Sequence, residues 1–133
     1  MCGGGSVQET NYLDDNTILV VDDEPDVLDT LEDLLSMCQI VKAKNFEEAN
    51  EQLKNNKFDF AILDIMGVDG FKLLEITNQK NVITVMLTAH ALSPENVIKS
   101  YKEGAALYLP KEELTNITIF LNDIPVSYTH LRA

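Results

Sequence analysis

The sequence predicts an α/β fold, a doubly wound five-stranded parallel sheet whose strands alternate with five helices. Two observations lead to this prediction. Short apolar, β-branched runs recur along the chain, and each is followed by a segment with helical apolar spacing. The alternation repeats five times within 133 residues, which is enough chain for one domain with a buried core but not for two.

Each predicted strand is a short, mostly apolar run, and the first is continuous, as expected for a parallel strand covered on both faces. The first is the most regular, Thr-Ile-Leu-Val-Val, and it stops abruptly at an acidic run. The last is the shortest, Leu-Tyr-Leu, and a proline and a lysine follow it directly. In chain order the strands are predicted at Thr17–Val21, Ile40–Ala43, Phe58–Leu63, Val82–Leu87 and Leu107–Leu109.

The first two predicted helices have start signals beside their apolar faces. Pro25 suits the first turn of the first helix. The apolar spacing of that helix continues to Cys38, which we therefore expect to be a buried thiol. Asn45 followed by Glu48 resembles a capping arrangement at the start of the second helix.

The other three helices are marked by glycine and proline. Gly67 and Gly70 mark the loop before the third helix, Pro94 suits the first turn of the fourth, and Gly104 ends the fourth. The last helix is predicted over Glu113 to Asn122. Every strand is thus followed by a helix, which is the pattern of a parallel sheet with crossover connections.

The composition excludes several kinds of partner. A formal net charge of −12 argues against direct binding of nucleic acid or anionic lipid, because phosphate groups would repel the domain. No apolar run approaches the roughly 20 residues that span a bilayer, so we predict no membrane association. The two cysteines have neither metal-ligand spacing nor a disulfide framework, which favours a reducing, cytoplasmic setting.

The chain is predicted to have three parts. Residues 1–15 are expected to be a flexible leader, since they begin with a glycine-rich stretch and lack the pattern of a secretion signal. Residues 16–123 form the folded domain. Residues 124–133 are expected to be an irregular tail without function, and they resemble translated adapter sequence more than a natural continuation.

Polar side chains collect at the carboxyl ends of the predicted strands, where open parallel sheets bind their ligands. Carboxylates brought together there repel each other unless a positive charge intervenes. Magnesium is a suitable cation, because it prefers a few carboxylates together with waters and phosphate oxygens. The sequence therefore predicts a magnesium site with a fixed ammonium group beside it. The residues at the strand ends are Asp22, Asp23, Asp64, Thr88 and Lys111.

In type, order and position, these residues resemble the site residues of the response-regulator receiver domain, a flavodoxin-like module of two-component signal transduction. The resemblance extends over about Thr17 to Asp123. The matching residues are the acidic pair Asp22 and Asp23, the phosphoacceptor Asp64, the switch hydroxyl Thr88 with the small Ala89 beside it, the switch aromatic Tyr108, and the lysine Lys111.

The resemblance implies a phosphorylation chemistry. Asp64 would accept a phosphoryl group from a sensor histidine kinase or a phosphotransfer protein and become an acyl phosphate. Magnesium would be held by Asp23, Asp64 and the backbone carbonyl of Met66, and Asp22 would act through a metal-bound water. Lys111 would pair with one phosphoryl oxygen. The domain would then be no enzyme, since its phosphoryl transfer and autodephosphorylation are self-catalysed.

The resemblance also implies a relay. The Thr88 hydroxyl would bind a phosphoryl oxygen, and Tyr108 would enter the space that Thr88 leaves. A local charge event would thereby repack the face formed by the fourth helix and the fifth strand, where a downstream effector would bind. Homodimer formation on phosphorylation is a further expectation from the family.

Two departures from the family pattern keep an alternative open. The loop from Asp64 to Gly70 is short and lacks the usual proline, and Glu112 stands where a proline usually follows the lysine. The alternative is a receiver-like protein-interaction domain that no longer undergoes phosphotransfer. A phosphohydrolase with an aspartyl-phosphate intermediate is disfavoured, because Met66 stands where such enzymes carry a second aspartate.

Overall fold

The computed structural model describes residues 16–65, 67–89 and 94–122, so the predicted leader and the predicted tail lie outside these ranges. Within them, five strands alternate with five α-helices, as the sequence predicts. The strands are β1 (Thr17–Val21), β2 (Gln39–Ala43), β3 (Phe60–Asp64), β4 (Ile83–Thr88) and β5 (Leu107–Pro110). The helices are α1 (Pro25–Leu34), α2 (Phe46–Asn55), α3 (Gly70–Gln79), α4 (Pro94–Lys102) and α5 (Ile117–Asn122).

The strands form one parallel sheet in the order β2-β1-β3-β4-β5. In the register of the sheet, Val21 lies beside Leu63, and Thr88 lies beside Pro110. The carboxyl ends of the central strands therefore meet at one edge. The order reverses between β1 and β3, and ligands of such sheets bind at this reversal point.

Helices cover both faces of the sheet, which confirms the doubly wound prediction. One apolar cluster joins the sheet to α2 and α3, and the other joins it to α1 and α5. All residues of β3 and β4 are buried, as expected for strands covered on both sides. Among the described residues, no helix is long and apolar enough to cross a membrane.

The end of the domain differs from the prediction of a single helix over Glu113 to Asn122. A 3-10 helix occupies Lys111–Asn116, and α5 follows it. The tighter winding begins directly after β5, and Asn116 Nδ2 donates to Glu113 Oε1 three residues before it, at 3.1 Å. Short 3-10 segments are frequent at the amino-terminal end of an α-helix.

The end of α1 also differs from the prediction. The helix stops at Leu34, because Leu35 leaves the helical conformation and the chain returns to begin β2 at Gln39. Cys38 therefore lies in the connection, where its amide donates to the Leu35 carbonyl at 2.9 Å. It is half-buried, so the prediction of a buried thiol on the helix is wrong.

The predicted cap of α2 is present. Asn45 Oδ1 accepts a hydrogen bond from the Glu48 amide at 2.8 Å, and Glu48 Oε1 accepts one from the Lys44 amide at 3.0 Å. The first bond satisfies an amide of the first helical turn that has no partner within the helix, and the second ties the residue before the cap to Glu48.

Replacing Asn45 by Ala is expected to lower the free energy of unfolding by about 1 kcal/mol, because the Glu48 amide loses its acceptor. Urea unfolding followed by circular dichroism measures this change. Asn50→Ala is the matched control, since the same exchange inside α2 removes no cap. Equal stability of Asn45→Ala and the parent protein would contradict the assigned cap.

Candidate functional site

The fold brings together the three carboxylates that the sequence places at the ends of β1 and β3. One carboxylate oxygen from each of Asp22, Asp23 and Asp64 lies within 4.8 Å of the others. Asp22 is fully buried and Asp64 is nearly so, whereas Asp23 is exposed. Three converging oxygens with one side open to solvent fit a hard divalent cation that keeps some of its waters.

Lys111 supplies a positive charge to this cluster. Its Nζ lies 2.8 Å from Asp22 Oδ2, 3.0 Å from Glu24 Oε1 and 3.4 Å from Asp64 Oδ1. The lysine side chain is only 14% exposed, so water weakens these attractions less than it does at the surface. The fold explains the position of Lys111. The residue comes directly after β5, and strands β1 and β3, which carry the acids, end at the same edge of the sheet.

The charges in the cluster do not balance. Burial raises the pKa of Asp22, and the ion pair with Lys111 and the hydrogen bond from the Glu24 amide offset this only in part, while the charge of Asp64 raises the pKa further. Burial by itself would lower the pKa of Lys111, but its ion pairs with Asp22 and Glu24 and the charge of Asp64 outweigh that effect and raise it. Lys111 therefore remains an ammonium ion. Its single positive charge does not neutralise the several carboxylates around it.

The short loop after β3 packs tightly against the acidic cluster. The Gly67 amide donates to Asp64 Oδ2 at 3.1 Å. Asp69, the residue before α3, adopts the left-handed conformation with φ 56° and ψ 52°. A Cβ atom on Gly70 would lie 2.4 Å from the Asp64 carbonyl oxygen, so this position requires glycine. Met66, whose carbonyl was predicted to bind the metal, lies outside the described residues.

The two predicted switch residues lie on neighbouring strands. Thr88 ends β4 and is 6% exposed, and the adjacent Ala89 is exposed. Tyr108 in β5 is 7% exposed and belongs to the same apolar cluster as Val68 and Met86. The aromatic side chain is therefore already inside the domain in this conformation, and the predicted movement of Tyr108 stays a prediction.

Two residues at the site were not singled out from the sequence. Glu24 carries an acceptor for Lys111, and its carbonyl accepts the first amides of α1. The only sequence signal was its place in the acidic run after β1. Gly67 was identified only as a loop marker, because its approach to the carboxylates depends on the path of the loop.

Comparison with known proteins places the chain in a family. The model of the response regulator receiver domain matches residues 18–119. The two-component response regulator ARR10 of Arabidopsis thaliana is 40% identical over 111 residues, which cover 75% of this chain and 20% of that protein. The chain thus spans about a fifth of the length of the curated relatives it matches. It belongs to the response regulator receiver domain family of two-component systems.

Solved structures agree in fold. A receiver domain protein from Methanospirillum hungatei superimposes with a TM-score of 0.70 at 27% identity, covering 82% of this chain and 94% of that one. A response regulator protein from Burkholderia pseudomallei gives a TM-score of 0.75 at 24% identity, covering 89% of this chain and 71% of that one. The latter structure contains a phosphorylated aspartic acid, a calcium ion and citrate.

Proposed function

We propose that this domain is a phosphorylation-dependent signalling switch, in which Asp64 accepts a phosphoryl group from a histidine kinase or a phosphotransfer protein with Mg²⁺ as cofactor. One observation carries the proposal. The Asp64 carboxylate has a lysine ammonium 3.4 Å away and two further carboxylates with an oxygen within 4.8 Å. This arrangement provides a nucleophile, a fixed cation and ligands for a second cation in one place.

The transfer itself needs little more than alignment and charge neutralisation. An Asp64 oxygen forms the new bond to phosphorus, the phosphorus–nitrogen bond of the phosphohistidine breaks, and the imidazole nitrogen keeps the electron pair and takes up a proton. The Gly67 amide holds Asp64 Oδ2 and thereby orients the carboxylate, while Lys111 lies beside Oδ1 and pairs with a phosphoryl oxygen.

Mg²⁺ would supply positive charge next to the transferred group. Asp23 and Asp64 would hold the ion directly, and Asp22, which is buried and bonded to Lys111, would act through water. The Burkholderia structure supports the idea that this fold can carry a phosphorylated aspartate and a divalent cation together. The domain acts on no other substrate in this proposal, so it is a switch and not an enzyme.

The surface formed by α4 and β5 would pass the phosphorylation signal to a partner. Thr88 and Tyr108 would transmit phosphorylation to this surface. Ile98 and Tyr101 of α4 are 57% and 46% exposed, which supports binding of an effector or of a second copy of the domain there. We place the protein in the cytoplasm, where a sensor kinase would reach it.

Phosphorylation by a small donor tests the proposal. Incubation with acetyl phosphate and Mg²⁺, followed by intact-mass spectrometry, is expected to add one phosphoryl group that is labile in base. Asp64→Asn and a sample with EDTA should gain none. Asp69→Asn is the matched control, because it removes an exposed acid from the same loop and should leave the gain intact. A phosphoryl group retained on Asp64→Asn would refute the assigned acceptor.

Magnesium should also stabilise the folded domain, because a ligand that binds only the folded state shifts the unfolding equilibrium. We expect the melting temperature of the parent protein to rise with MgCl₂ concentration. Asp23→Asn should show a much smaller rise, and Asp26→Asn, an exposed acid in the first turn of α1, should respond like the parent. An identical response of Asp23→Asn and the parent would remove Asp23 from the metal site.

A second candidate function is a receiver-like interaction domain without phosphotransfer. The observation in its favour is the close packing of the short loop, in which Gly67 contacts the acidic cluster directly. Absence of both the mass gain and the magnesium effect in the parent protein would select this alternative.

A further inference from the structure

Gly67 touches a carboxylate that the proposed metal site needs. A Cβ atom built on Gly67 would lie 2.5 Å from Asp23 Oδ2, 2.6 Å from its Cγ and 2.7 Å from its Oδ1. These distances are far shorter than ordinary van der Waals contact, so the Asp23 carboxylate occupies the space that a side chain at position 67 would need.

The loop that carries Gly67 is held in place on both sides. Ile65 and Val68 are 5% and 2% exposed and pack into the apolar cluster beneath α2 and α3. The Gly67 amide is bonded to Asp64, and Gly70 abuts the Asp64 carbonyl. The loop therefore cannot retreat cheaply from Asp23, whereas the exposed Asp23 side chain is free to turn into solvent.

We propose that Gly67 is a positioning residue, which keeps the Asp23 carboxylate inside the acidic cluster by leaving room for it. This inference rests on the proposed magnesium-binding function. Any side chain at position 67 displaces Asp23 and removes one ligand, although it leaves the fold intact. The shortened loop causes this requirement, because it brings residue 67 against the acidic pair.

Gly67→Ala separates metal binding from stability. The added methyl group pushes the Asp23 carboxylate away, and we expect the dissociation constant for Mg²⁺ to rise by about 10–100-fold, as when groups that orient metal ligands are removed. The melting temperature in EDTA should stay equal to that of the parent or rise, because alanine restricts the unfolded chain. Isothermal titration calorimetry with MgCl₂ and thermal unfolding in EDTA measure the two quantities on the full chain.

A double-mutant cycle tests whether Gly67 acts through Asp23. Asp23→Ala should weaken Mg²⁺ binding, and Gly67→Ala should weaken it no further in the Asp23→Ala background. Asp26→Ala serves as the charge control and should bind Mg²⁺ like the parent. Additive losses in the double variant would overturn the proposal, since Gly67 would then act independently of Asp23.

The remaining outcomes are equally decisive. Unchanged Mg²⁺ affinity in Gly67→Ala, with a parent protein that binds the ion, overturns this inference and leaves the proposed function standing. A lower melting temperature of Gly67→Ala in EDTA also overturns it, because Asp23 would then not yield as proposed. A parent protein that binds no Mg²⁺ refutes the metal site itself and this inference with it.

Discussion

Replacing Lys111 by Met should lower the free energy of unfolding by about 3–5 kcal/mol at pH 8 without divalent cations, the usual cost of removing one partner from a buried ion pair. Lys111 Nζ lies within 3.4 Å of oxygens from Asp22, Glu24 and Asp64. Asp22 is fully buried, so water cannot replace the lost ammonium. Methionine keeps most of the volume of the lysine stem, and the loss is therefore mainly one of charge.

Lys42→Met is the matched control for this substitution. Lys42 also bridges two acids, with Nζ 3.2 Å from Asp29 Oδ1 and 2.9 Å from Glu32 Oε1. These partners lie at the surface, where water and salt screen the attraction, so the control should lose far less stability. Urea unfolding at equal ionic strength compares the two variants. Similar losses in both would show that burial does not strengthen the Lys111 contacts.

The loss in Lys111→Met should depend on pH. The folded-state pKa of Asp22 lies above its unfolded value, so ionised Asp22 destabilises the folded state. The free energy of unfolding therefore falls as pH rises through that pKa. Removing Lys111 takes away a contact that lowers this pKa, so ionised Asp22 destabilises the variant more than the parent protein. The destabilisation should accordingly be larger at pH 8 than at pH 5, because a lower pH favours protonation of Asp22, which removes the buried charge. A larger loss at pH 5 would contradict this account.

The second large effect is expected for Gly70→Ala, which should lower the free energy of unfolding by about 2–3 kcal/mol. The new Cβ atom would lie 2.4 Å from the Asp64 carbonyl oxygen and 2.8 Å from the Ile65 Cα atom. Both neighbours belong to the backbone at the end of β3, so relief requires a shift of α3 against the sheet.

Gly67→Ala is the matched control, since the same exchange three residues earlier meets only a movable side chain. Urea unfolding in EDTA should show a clear loss for Gly70→Ala and none for Gly67→Ala. If both variants unfold like the parent, α3 does not press against β3 as tightly as the structure indicates.

Much of the fold follows from local patterns. The β-branched run Thr17–Val21 predicts a buried strand, which the structure contains, and Asn45 caps α2 through a hydrogen bond to a residue three positions later. The end of α1 could not be predicted in this way. Its apolar spacing runs on to Cys38, but the chain has to turn back after Leu34 to pair β2 with β1.

The candidate site also combines features that local patterns predict with features that depend on packing. Local patterns alone predict that Asp22, Asp64 and Lys111 share one edge of the sheet, because Asp64 ends a parallel strand and the other two residues each follow one directly. Two further contacts emerge only from the packing of the folded chain: Lys111 also pairs with Glu24, and Gly67 lies against the Asp23 carboxylate. The end of each apolar run shows which residues lie at the edge of a parallel sheet. Contacts of a few ångströms depend instead on how the loops pack, and no local pattern specifies that packing.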